Sequence, residues 1–160
     1  MWLFFSESLA IEALYSIFTQ PTLSPFREAF LDQLIPDDKE GFGDNSVRLN
    51  TDNDGKAVSL VIHTEKQVIF IEPKFFGSAQ ELIADKTAIL RKEYPFFDRR
   101  ILCILTVIDR QAEIKEANKS NIATDYAVEV RSLQWINILG VFAKLRREHK
   151  FSTDTIRLRR

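Results

Sequence analysis

The chain has 160 residues, 45% apolar and 28% charged, with five glycines and five prolines. That length and balance describe one ordinary globular domain able to bury a core, and they exclude a fibre or a disordered chain. The net charge of −1 hides an asymmetry: from Lys144 to Arg160, seven basic residues against two acidic ones give +5, leaving −6 on the rest.

Residue chemistry narrows the field further. The single cysteine, Cys103, lies within Ile101-Leu102-Cys103-Ile104-Leu105 and reads as a small core hydrophobe. One chain therefore offers no disulfide framework and no cysteine-based zinc site. His63 and His149 are not joined by any metal-ligand spacing. The opening Met1-Trp2-Leu3-Phe4-Phe5 is too short for a signal-peptide core. No apolar run of about eighteen residues is present to cross a membrane. A cytoplasmic protein without a membrane partner is expected. Neither a dinucleotide-binding glycine pattern nor a phosphate-loop Gly-Lys-Ser/Thr occurs.

In chain order, Ser6 or Ser8 is placed to cap a first helix whose Ile11, Leu14, Tyr15 and Phe18 follow helical spacing and which stops before Pro21. Ser24-Pro25 opens a second helix with proline at its start, burying Phe26, Ala29, Phe30 and Leu34. Pro36 to Asp44 is polar and reads as a loop. Three strands are predicted next: Ser46 to Thr51, Lys56 to His63, and the stretch ending in Val68-Ile69-Phe70-Ile71-Glu72-Pro73-Lys74. Asp54-Gly55 between the first two supplies the positive φ of a tight hairpin turn. A helix from Ser78 to about Tyr94 sets Leu82, Ile83, Ala84, Lys86, Ile89 and Leu90 on its buried side. The aliphatic run from Arg100 to Ile108 predicts a strand covered on both faces. A part-helical link from Asp109 to Asn121, a strand from Tyr126 to Arg131 and a closing helix from Leu133 to about His149 complete the chain. The order α-α-β-β-β-α-β-α-β-α predicts an α/β fold, a mixed sheet flanked by helices and led by an antiparallel meander.

The most informative stretch is Glu72-Pro73-Lys74. A period of two sends Glu72 and Lys74 to one face of the sheet. Buried charges of this kind need an offset, such as a metal, an anion or each other. Pro73 lacks a backbone donor and suits an edge or a bulge better than a central strand.

With these residues in place the chain resembles the PD-(D/E)XK nuclease superfamily, the restriction-endonuclease-like fold. That family's α-β-β-β-α-β core matches the order here, with an extra N-terminal helix and a C-terminal strand and helix. Its Glu-x-Lys signature is met by Glu72 and Lys74 at the end of the third strand. Glu12 fits the family's further acidic residue on the opening helix, and Gln80 fits a glutamine that opens the helix after the lysine. The stretch from Val128 to Trp135 is similar to its final strand and tryptophan-bearing helix. The family's central aspartate is replaced by Ser59, a neutral and weak Mg²⁺ ligand.

The resemblance implies one domain over residues 1–160: a helical lead-in (1–35), the core (46–108), a terminal strand and helix (125–150) and a basic tail (151–160). It implies a Mg²⁺- or Mn²⁺-dependent DNA phosphodiesterase, of restriction or phage-defence type. Glu72, Lys74 and Gln80 would be catalytic, with Glu12, Ser59 and Glu72 around the metal. Asp52 or Asp54 would contribute if the hairpin folded inward. The alternative is a catalytically inactive nuclease-fold module that binds nucleic acid or protein, with Glu72 and Lys74 surviving as an ion pair. Phe75, Phe76, Phe96 and Phe97 would then be available as partner contacts. A homodimer is expected for so small a member. A third reading is an unrelated α/β domain whose charged pair is structural.

Overall fold

The computed structural model describes residues 6–37, 46–122 and 125–149. The chain order of elements follows the sequence pattern closely. Helix α1 (Glu7–Thr19) is capped by the Ser6 hydroxyl, which accepts the Leu9 N–H at 3.3 Å. It buries Ile11, Leu14, Ile17 and Phe18 along one stripe. A single 3₁₀ turn, Pro21–Leu23, leads into α2 (Ser24–Leu34), with proline in its first turn, where no amide donor is needed.

Five strands form one sheet in the order β1-β2-β3-β4-β5. Strands β1 (Ser46–Thr51), β2 (Ala57–His63) and β3 (Gln67–Pro73) are an antiparallel meander. The β1–β2 turn is built as its sequence requires: Gly55 has φ +79°, and the Asp52 carboxylate accepts the N–H groups of Asp54 and Lys56 at 2.9 and 3.0 Å. Asp52 is thereby a turn residue rather than a ligand. Helix α3 (Gln80–Glu93) crosses to β4 (Arg99–Thr106), parallel to β3, and α4 (Gln111–Asn121) crosses to β5 (Val128–Gln134), parallel to β4. Helix α5 (Trp135–His149) follows β5 directly.

The helices divide between the two faces. Ile69 and Ile71 of β3, with Leu60, Ile62, Ile101, Cys103 and Leu105, pack against α1, α2 and α5. Val68 and Phe70, with Val61, Leu102, Ile104, Val128 and Val130, pack under α3 and α4. Burial of this kind contributes about 1.5–3 kcal/mol per large aliphatic side chain. Burial pushes the Cys103 thiol up to about 12, as its place inside a doubly covered strand predicts.

Ion pairs and amides finish the edges. Arg131 donates to the Leu34 carbonyl at the end of α2, and Arg99 pairs with Glu129 at 2.6 Å and Asp37 at 3.1 Å. Along β5 the Asn118 side chain donates to the Val130 carbonyl at 2.9 Å and accepts its N–H at 2.8 Å. That amide takes the place of a further strand at Val130.

Three differences from the sequence pattern have physical reasons. Pro73 ends a central strand, not an edge. Lys74 N–H points to β4 (2.9 Å from Leu105 O), so position 73 faces β2. There the ladder has already stopped at Leu60–Ile71, and the missing donor costs no bond. Phe75 is buried at 1% exposure, whereas Phe76 and Phe96 are exposed and Phe97 is half-buried against Tyr94 and His63. Ala84 is exposed and Thr87 takes the buried place, its hydroxyl donating to the Ile83 carbonyl at 2.7 Å. Residues 1–5, most of the Pro36–Asp44 loop and the basic tail lie outside the described residues. Among the described residues no helix is long and apolar enough to cross a membrane.

Candidate functional site at the end of strand β3

Strand alternation puts Glu72 on the same face as Val68 and Phe70, under α3. It is 5% exposed, in the most central strand of the sheet. Its Oε1 lies 3.5 Å from Lys86 Nζ, and the Ser59 hydroxyl hydrogen-bonds to it from β2. Ser59 in turn accepts Asn50 Nδ2 at 2.8 Å. Asn50, Ser59 and Glu72 thus form a polar row across β1, β2 and β3, closed from above by Lys86 of α3. Burial pushes the Glu72 carboxyl above its ordinary value of 4.5, opposed by the Lys86 charge and by the Ser59 and Lys86 hydrogen bonds.

Of the residues singled out by sequence, Ser59 and Glu72 come together. The others do not join them. Lys74 lies one residue beyond β3, and its main chain is held on both sides: N–H to Leu105 O at 2.9 Å, C=O from Arg110 Nη2 at 2.8 Å. The ammonium that acts on Glu72 belongs to Lys86, so the expected Glu72–Lys74 pair is replaced by Glu72–Lys86. Glu12 is exposed on α1, which packs on the opposite sheet face from Glu72. The α1 carboxylate that does reach the end of β3 is Glu7, whose Oε2 accepts the Phe75 N–H at 2.8 Å. Gln80 is the exposed first residue of α3, its N–H donating to Ser78 Oγ at 3.2 Å.

In this arrangement Glu12, Ser59 and Glu72 do not form a shared donor set for Mg²⁺ or Mn²⁺. A hard cation of this class is usually held by carboxylates in concert, and Glu72 alone already has an ammonium and a hydroxyl on it. Among the described residues no three acidic, histidine or cysteine side chains gather into a metal-binding group.

Two residues that organise this end of the sheet were not singled out as functional. Lys86 carried a signal: a lysine on the apolar side of α3 must meet an acid or reach solvent. Arg110 carried none, because its role depends on a chain reversal. It is 3% exposed and donates to Thr106 Oγ1 at 2.9 Å, Glu113 Oε1 at 2.8 Å and the Lys74 carbonyl. Glu113 then receives the Ala79 N–H on both oxygens, at 3.3 and 3.2 Å, fixing the start of α3. Gly77, at φ +77°, lets the chain turn from β3 into that helix. The chain matches no protein-family model, no curated protein and no solved structure.

The buried carboxylate has a measurable signature. A folded-state pKa above the unfolded one means that the native chain binds the Glu72 proton more tightly. The stability this contributes is complete below 4.5 and is lost as pH rises through the folded value. Glu72→Gln does not titrate. The variant is expected to match the parent below about pH 4.5 and exceed it at neutral pH, in urea unfolding followed across pH. Equal stabilities at every pH would mean that Glu72 is solvated in the folded chain.

Proposed function

We propose that the chain is a nuclease-like module that binds nucleic acid, DNA in the first instance, without cutting it through the Glu72 site. Support for the nuclease-like part comes from the helix, meander, helix, strand order and from Glu-x-Lys at the end of the third strand. The observation that carries the non-catalytic part is the closed state of Glu72: 5% exposed, with Lys86 and Ser59 on it and Glu12 across the sheet. Its carboxylate is balanced internally by Lys86 and Ser59. Exposed Arg146 and Arg147 on α5, with Lys144 beside its ion-pair partner Glu148 at 3.8 Å, supply cationic charge for phosphate. A cytoplasmic location, self-pairing as a homodimer and a role in restriction or phage defence belong to the same reading.

The test is fluorescence anisotropy with labelled duplex and single-stranded DNA at several salt concentrations, alongside a cleavage assay in Mn²⁺. Binding is expected to weaken with salt. Reversing Lys144, Arg146 and Arg147 to glutamate should flatten the slope of log K against log salt by roughly 2–3. Absence of binding at low salt removes the nucleic-acid reading. DNA cleavage that disappears in Glu72→Ala removes the non-catalytic one and restores the enzyme.

A further inference from the structure

We infer that a crevice outside the carboxyl ends of β4 and β5 is a binding site for an uncharged, flat, amine-bearing heterocycle of nucleobase size. It is a second site, built from residues that play no part in the Glu72 row. Strands β4 and β5 are parallel neighbours, but the helices that follow them leave in opposite directions. Helix α4 places Ile114 and Ala117 on one sheet face, and α5 places Trp135 and Ile138 on the other. Where successive crossovers diverge in this way, the sheet opens a crevice beyond its carboxyl edge, the usual ligand position of α/β sheets.

The crevice has a cavity volume of about 210 Å³. Gln111 enters it from the start of α4, Ser132 and Gln134 from the end of β5, Asn137 from α5 and Gln33 from α2. Among the described residues, none of these five side chains has a hydrogen-bond partner elsewhere in the protein. Ser132 and Gln134 are half-buried with their polar atoms still open to solvent, and Gln33, Gln111 and Asn137 are exposed, so all five side chains offer donors and acceptors to a ligand entering from water. Leu133, half-buried, and Ile138, 1% exposed, supply an apolar wall.

The charge of the lining selects the ligand. Arg110 contributes to the wall, but its guanidinium is already taken by Thr106, Glu113 and the Lys74 carbonyl. Asp109 is the acidic side chain of the lining, and one of its oxygens accepts the Gln111 N–H at 2.9 Å. Its other oxygen is available to an amine and repels a phosphate. Amides that offer donor and acceptor side by side match the polar edge of a base, as glutamine and asparagine do with adenine. An apolar wall suits the base's flat faces. A free nucleoside and an unpaired base of a single strand present the same chemistry.

Two-dimensional ¹⁵N spectra of the full chain, titrated with adenosine, uridine, inorganic phosphate and a short single-stranded adenine oligonucleotide, test the assignment. Adenosine is expected to move resonances of residues 109–111 and 132–138, with uridine weaker by about tenfold, the usual discrimination of one good base-edge contact. A shift with the oligonucleotide alone assigns the site to a strand's unpaired base and also supports the inference. Gln134→Ala with Asn137→Ala should weaken binding by tenfold or more, and Asn137→Leu should block it, with resonances outside the crevice unchanged. No shift with either nucleic-acid probe, equal binding by the variants, or phosphate moving the same residues would overturn it.

Discussion

Replacing Arg110 by alanine is expected to lower folding stability by about 3–5 kcal/mol, the usual cost of removing one partner from a buried charge pair. The guanidinium is almost fully enclosed and serves three acceptors on three segments: Thr106 at the end of β4, Glu113 on α4 and Lys74 just past β3. Its loss leaves the Lys74 carbonyl without that donor and releases Glu113, which would then hold the start of α3 without a countercharge. For a domain of this size the melting temperature should fall by roughly 10 °C or more. Arg110→Lys should recover only part of the loss, because one ammonium cannot reproduce the planar fork that reaches three acceptors. Urea unfolding of the three proteins decides it. A loss below about 1 kcal/mol would place Arg110 among solvated surface pairs.

Arg110 also shows where sequence reasoning stops. The order of elements was legible because each one carries its own period: alternating Val47 and Leu49 in β1, helical spacing of Ile11, Leu14 and Phe18 in α1, and an unbroken aliphatic run in β4. Boundaries moved by two or three residues, most at β5. That strand runs on to Gln134 because β4 continues beside it, through the Thr106–Gln134 pair. Which helix covers which face was not legible. Strand β3 is apolar on both sides from Val68 to Ile71, so neither side is marked as belonging to α1 or to α3. The family resemblance put Ser59 and Glu72 in one polar place, and there they meet. It could not say that α3 lies over them, and so Glu12 was matched to Glu72 across a sheet that separates them.

The same limit explains Lys74. Period-two geometry holds only while the strand continues, and β3 ends at Pro73. Beyond it the chain is directed by Gly77 and by bonds to β4 and Arg110, which no local pattern encodes. Meanwhile Lys86, spaced among apolar residues on α3, reaches the acid from above. Glu-x-Lys in a sequence therefore fixes the position of the acid, and the fold decides which amine meets it. A buried acid held above its ordinary pKa is a common mark of a working site. Here its partner is structural in geometry, and that is why the non-catalytic reading is preferred.

The adjacent phenylalanines give the sharpest contrast that the fold predicts. Phe75→Ala is expected to destabilise by about 3–5 kcal/mol, the range for emptying a buried aromatic site, while Phe76→Ala should stay within about 0.5 kcal/mol. Phe75 is 1% exposed in the core shared by α1, α2 and α5, and Phe76 is 60% exposed. The backbone of Phe75 is equally committed: its N–H goes to Glu7, and its carbonyl accepts Thr106 Oγ1 at 3.2 Å and Val107 N–H at 3.3 Å. The main chain of Phe75 thereby ties the end of β3 to α1 on one side and to the end of β4 on the other, while the ring fills the core beneath. Phe75→Met, which refills much of the volume with a flexible chain, should recover more than half of the loss. Equal effects at 75 and 76 in chemical unfolding would reverse their assigned exposures. The whole strand end, with Lys74 and the acid before it, would then need a different orientation.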